Sequence, residues 1–168
     1  MKRFLSQIFA ILCVIVIIYA FISIRPYAVS GDSMQPNLMP DQILLVDRFS
    51  DRFAPLRRGE IVVYSDMNSE EKIKIKRLIG MPSEKLEIRD GKIFINDSEL
   101  KESYLADNIK TCSPGSCIDI ASRLYEVPED MYFVLGDYRE NSVDSRGCID
   151  PTLCDRDAVK YIPEEEII

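Results

Sequence analysis

Ser33, Lys76 and a polar cluster between residues 136 and 146 hold most of the side chains through which this chain could do chemistry. They lie in three segments: SGDSMQPNL at 30–38, KRLIGMP at 76–82 and GDYRENSVDSR at 136–146. Taken singly, each has a structural explanation. SGDS is a common turn composition. Lys72, Lys74 and Lys76 alternate along one face of a strand, usually the solvated face. GDYRENS reads equally as a polar loop with a salt bridge. An absence narrows the chemistry: the chain has no histidine. This excludes Ser-His-Asp triads, Cys-His dyads, HExxH zinc sites and imidazole acid–base catalysis. A hydrolase built from this chain must work with Lys, Asp, Glu, Tyr or a thiol.

The elements that position these segments read mostly as short strands. Ile43–Val46 is a short apolar run, and Glu60–Tyr64 follows Gly59 as a strand. Lys72–Lys76 alternates strictly. Two alternating runs, 85–88 and 92–95, flank Asp90-Gly91, and Asp-Gly between such runs is a hairpin signature because a type I′ turn needs φ > 0 at both centres. Met131–Leu135 is a further strand. Many short strands with turn signals predict a mainly β domain. Residues 102–126 interrupt the rhythm with Pro, Gly, Ser and two cysteines, and read as a loop. The acidic tail at 163–168 reads as solvent-exposed.

Ahead of this domain, residues 4–24 carry no charge. A helix of 21 residues spans about 30 Å, the thickness of a bilayer's hydrocarbon core. Pro26 is expected to end it. Lys2 and Arg3 precede the run and only Arg25 follows closely, which predicts a cytoplasmic N-terminus and an exported remainder. A cleaved secretory signal is the alternative, but its apolar region usually runs about 7–15 residues. The reading is therefore an anchor over 1–25 and an extracytoplasmic domain over 26–168, a partner of the lipid bilayer.

Apolar residues make up 46% of the chain, enough for a packed core. Beyond residue 25 lie 18 of the 21 basic side chains and all 28 acidic ones, which disfavours a nucleic-acid partner. Four cysteines outside the apolar run, Cys112, Cys117, Cys148 and Cys154, suit disulfides in an oxidising compartment. They allow three pairings; Cys112–Cys117 with Cys148–Cys154 is preferred. A four-cysteine zinc site is the rival, with spacings at or beyond the long end of the usual range. No metal or cofactor is expected.

Together, in this order and behind an apolar N-terminal run, the three segments resemble the boxes of the bacterial type I signal peptidases. The resemblance covers about residues 1–147. It implies a mainly β catalytic domain behind a transmembrane helix, a Ser-Lys dyad, and signal-peptide-bearing preproteins as substrates. By position, Ser33 before Met34 matches the nucleophile and Lys76 before Arg77 the general base. Ser142 matches the hydroxyl that hydrogen-bonds the lysine, Asp144 and Arg146 a supporting pair, and Asp137 with Arg77 a second pair.

The physics agrees with such a dyad. A serine hydroxyl needs an adjacent base. A lysine serves only when neutral, and lowering its pKa from about 10.4 to about 8 means destabilising the charged form by roughly 3 kcal/mol. Burial can do this, with Ile75, Leu78, Ile79 and Met34 as walls, while Lys72 and Lys74 stay solvated. Two departures stand out. Many relatives carry a serine two residues before the nucleophile, as an oxyanion donor; Gly31 stands there, leaving more to the Ser33 backbone N–H. After the third box, 147–156 carries Cys148 and Cys154, and Ile168 comes soon after a closing strand could begin. Rival readings are a conjugation or pilin maturation protease of the same family, a LexA-like self-cleaving protein, and an inactive membrane-tethered β-domain.

Overall fold

A computed structural model describes residues 2–48, 55–66, 72–112, 123–147 and 159–168. Among them a helix, α1 (Lys2–Ser23), leads into ten strands. It ends three residues before Pro26, which sits mid-strand in β1 (Ile24–Ala28) opposite Leu45 of β2 (Ile43–Asp47). Proline disfavours helical geometry at the residue before it, so Arg25 is already extended. The two-stranded ribbon has edges to spare, and there the missing N–H costs nothing. Phe4, Phe9, Val16 and Ile17 on α1 are 66, 69, 63 and 66% exposed. Among the described residues, no helix is long and apolar enough to cross a membrane.

The remaining described strands form two four-stranded antiparallel sheets. One contains β3 (Ile61–Ser65), β4 (Ile73–Gly80), β9 (Met131–Leu135) and β10 (Ile162–Pro163), ordered β10-β9-β4-β3. The other contains β5 (Lys85–Arg89), β6 (Lys92–Ile95), β7 (Ser98–Glu99) and β8 (Arg123–Glu126), ordered β7-β6-β5-β8. The expected hairpin forms: Asp90 and Gly91 have φ of 53° and 77° between β5 and β6. A second forms at Asn96-Asp97, with φ of 47° and 68°, and leads into β7. The end of the expected loop at 102–126 is instead β8, because Leu86 and Ile88 pair with it and bury Tyr125.

The C-terminal segment touches both edges of the first sheet. Ile162 pairs with Tyr132 on β9, while Ile167 bridges Tyr64 and the N–H of Ile168 donates to Val63 O at 2.8 Å on β3. Glu164 and Glu165 are exposed, as their charge requires. Alternation along β4 serves two cores. Leu78 packs with Val62, Tyr64, Val134 and Ile162, and Ile79 with Leu86, Ile93, Tyr125 and Phe133. Cys13 is free in α1 and Cys112 is disulfide-bonded. Cys117, Cys148 and Cys154 lie outside the described residues, and with them the preferred pairing. Among the described residues no cluster could hold a metal.

Candidate active site

Ser33 lies in the connection between β1 and β2. The ribbon closes the base of that loop, with Val29 N–H donating to Gln42 O at 2.8 Å and Asp41 N–H to Val29 O at 3.0 Å. Inside it, Gln35 N–H donates to Asp32 O and Leu38 N–H to Met34 O, both at 2.9 Å. Met34 is buried at 1% exposure and pins the turn, so its neighbour Ser33 is presented half-buried rather than sunk in the core.

Lys76 comes from mid-β4. It is 5% exposed, and its Nζ lies 2.6 Å from Ser33 Oγ and 3.1 Å from Ile75 O. The three-lysine pattern therefore divides. Lys72 is exposed and Lys76 is buried. Lys74, expected to be solvated, instead lies half-buried 3.1 Å from Asp66. Asp66 is itself 3% exposed and also pairs with Lys160, because a buried carboxylate needs counter-charge. Of the expected walls, Met34, Leu78 and Ile79 are buried and Ile75 is half-buried. Leu78 and Ile79 belong to separate core clusters.

The third segment leaves the end of β9, whose Leu135 pairs with Arg77 on β4. That register delivers 136–146 beside the lysine. Both expected ion pairs form. Arg77 donates Nε to Asp137 Oδ1 at 2.8 Å and Nη2 to Oδ2 at 2.6 Å. Arg146 donates Nε to Asp144 Oδ1 at 2.8 Å and Nη2 to Oδ2 at 2.7 Å, with both side chains fully buried. Such pairs add little net stability but strongly define geometry, and removing one partner costs about 3–5 kcal/mol. Gly136 N–H donates to Asp144 Oδ2 at 3.0 Å, and Tyr138 N–H to Ser33 O at 3.0 Å. The nucleophile loop is thus bonded directly to the third segment.

Ser142 departs from expectation. Its hydroxyl is buried and makes no bond to Lys76. The lysine amine bonds to Ser33 and Ile75, while Ser142 sits against the Gly136 α-carbon and close enough to Asp144 to help keep that carboxylate charged. Gly31 is exposed with φ of 76°, and a Cβ there would meet nothing within 4 Å. Sequence reasoning missed Asn37, whose Nδ2 donates to Asp137 Oδ2 at 2.8 Å and to Tyr104 O at 2.9 Å. It also missed Gly136, Arg139 and Glu102. All but Glu102 lie within the motif segments, yet their types alone do not mark them. A cleft of about 310 Å³ opens beside the dyad, lined by Tyr27, Val29, Ser33, Ile73, Ile75 and Val143 among others.

Burial of Asp144 opposes its charge, but the Arg146 guanidinium and the bonds from Arg146 and Gly136 outweigh this and hold the carboxyl below its usual 3.8. A carboxyl with a depressed folded-state pKa gives stability that is present above the unfolded value and lost as pH falls through the folded one. The urea midpoint is expected to drop as pH falls below about 4, and Asp144→Asn to flatten that drop while lowering the neutral-pH midpoint. Urea titrations at pH 7, 4 and 3 check this.

The family described as "Signal peptidase, peptidase S26" matches across residues 1–168. The chain is 39% identical over 126 residues to signal peptidase I P of Bacillus subtilis subsp. natto, covering 73% of this chain and 66% of that protein. It is 34% identical over 122 residues to signal peptidase I U of Bacillus subtilis (strain 168), covering 73% and 65%. A crystal structure of a signal peptidase I from Enterococcus faecalis V583 is 28% identical with a TM-score of 0.48, covering 68% of this chain and 94% of that one. The matched stretch spans just under two thirds of the length of these Bacillus relatives.

Proposed function

The chain belongs to the signal peptidase family, peptidase S26, and from that premise we propose that it is a membrane-bound serine endopeptidase that removes N-terminal signal peptides from exported proteins. The observation that carries this reading is the 2.6 Å contact between Lys76 Nζ and Ser33 Oγ, made by two groups 43 residues apart in a chain without histidine.

With the amine neutral, the same contact has the Ser33 hydroxyl as donor. Lys76 takes that proton as Oγ attacks the scissile carbonyl. The protonated amine then gives the proton to the leaving amine of the mature protein. A water, deprotonated in turn by Lys76, hydrolyses the acyl-enzyme. Arg77–Asp137 and Asp144–Arg146 act as positioning pairs, and the Ser33 backbone N–H, at the turn following Gly31, is the oxyanion donor. The substrate lies along the β4 residues 73–76. Among the described strands these pair only with β3, β9 joining at Arg77. The alternative edge, Ile61–Tyr64, is bridged by Ile167 and Ile168 and is the poorer choice.

The uncharged run at 4–24 and the exposed apolar side chains of α1 support a single-pass anchor in the plasma membrane, N-terminus cytoplasmic and catalytic domain outside. Ser33 lies nine residues past Ile24, at most about 30 Å of chain. A site so tethered suits substrates that are themselves in the membrane.

Cleavage of a synthetic signal peptide tests the proposal. Wild type is expected to cut after small residues at −1 and −3, and Ser33→Ala to be inactive. A bulky residue at −1 is expected to lower kcat/KM at least about tenfold. An active Ser33→Ala protein would overturn the mechanism, and equal cutting after Ala and Phe would overturn the pocket.

A further inference from the structure

Residues 102–112 belong to no motif, yet they touch every motif segment. Glu102 accepts Arg139 Nη1 at 2.9 Å and Nη2 at 2.5 Å, and the Tyr104 hydroxyl donates to Glu102 Oε1 at 2.6 Å. Arg139 also donates to Thr111 Oγ1 and, through Nε, to Gly136 O at 3.0 Å. Its side chain is fully buried. The Arg77 guanidinium lies 4.0 Å over the Tyr104 ring. Tyr104 O accepts from Asn37 of the nucleophile loop at 2.9 Å. At the far end, Arg146 Nη1 donates to the carbonyl of the disulfide-bonded Cys112 at 2.8 Å.

These contacts form a chain of positions. Glu102 fixes Arg139, and Arg139 fixes the Gly136 carbonyl. Gly136 packs against both Ser142 and the Ser33 carbonyl. Asn37 runs the other way, joining the strap to Asp137 and so to Arg77, the neighbour of Lys76. A loop needing only an anchor would need one such contact. Here the contacts cluster on Asn37, Arg77, Arg139 and Arg146.

We propose that residues 102–112 are a positioning strap of the active site, with Glu102 and Asn37 as its two clasps, acting through Arg139 and Asp137. Neither clasp touches the reacting atoms. Each sets the placement of Ser33 relative to Lys76. The catalytic part of this inference rests on the proteolytic reading above; the mechanical part does not.

The test uses the full chain with Glu102→Gln and Asn37→Ala, and Lys101→Ala as an exposed control. Amide hydrogen exchange reads the mechanical part. Both variants are expected to speed exchange at the Gly136 and Tyr138 amides, leaving β5 and β6 unchanged. Signal-peptide cleavage reads the catalytic part: kcat falls about tenfold to a hundredfold with KM nearly constant, since misplacement of about an ångström has that effect. The control should match wild type. Glu102→Gln leaves a buried guanidinium short of charge and could unfold the loop; Asn37 is exposed, so Asn37→Ala then carries the test. Unchanged exchange at Gly136 and Tyr138 overturns the strap, as does a kcat loss that merely follows a loss of thermal stability. An inactive wild type whose variants still show the local exchange change overturns the proteolytic reading and leaves the strap standing.

Discussion

Replacing Lys76 with arginine is expected to abolish signal-peptide cleavage while the fold persists. Arginine keeps the positive charge and much of the stem, but its pKa exceeds about 12 and it has no accessible basic form. If Lys76 were one half of an ion pair, the substitution would leave activity nearly intact. If its amine takes the Ser33 proton, kcat/KM should fall by about 10²–10⁴-fold. Lys76 is almost fully buried, so arginine's extra volume could disturb the site for steric reasons. Lys76→Met separates the effects, since it matches the stem and removes the amine. Both variants should be inactive, with circular dichroism and melting close to wild type. Wild-type kcat/KM should rise with pH as the neutral amine becomes populated. An active Lys76→Arg enzyme, or a flat pH profile, would overturn the dyad.

Gly136→Ala is expected to be nearly as damaging, although it changes no polar group. An added Cβ would come within 2.1 Å of Ser142 Oγ, 2.5 Å of Ser33 O and 2.6 Å of Ser142 Cβ. The Ser142 side chain has little room to give, being 1% exposed, and the Ser33 atom is backbone. Ser33 O is also tied to Tyr138 N–H at 3.0 Å. Relief therefore moves the nucleophile loop, and a shift near an ångström costs about 10²-fold in kcat. Overpacking should also lower stability by about 1–3 kcal/mol. Gly31→Ala is the comparison. Nothing lies within 4 Å of a Cβ there, and its cost is that of φ at 76°, about 1–2 kcal/mol. Steady-state kinetics with melting curves check both. Wild-type kcat in Gly136→Ala would show that the contact between the third segment and the nucleophile loop is not what places Ser33.

Local features of the fold were legible in the sequence because they depend on neighbours along the chain. Strict alternation at 72–76 announced β4, and Asp90-Gly91 announced its hairpin because few residue pairs accept two positive φ values. The absence of histidine excluded most hydrolase chemistries on composition alone. The segments around Ser33, Lys76 and Asp137–Arg146 were legible only as a set, since each alone is an ordinary turn, strand face or polar loop. Tertiary structure decided what alternation cannot distinguish. Lys72, Lys74 and Lys76 share a face, yet one is solvated, one neutralises Asp66 and one meets Ser33, because loops from elsewhere in the chain cover them unequally. It also made Pro26 a strand residue, turned 123–126 into β8, and left Ser142 against Gly136 rather than on the lysine. Each outcome turns on contacts between residues far apart in sequence, whose energies depend on which surfaces the packed sheets bring together, and no local pattern carries that information.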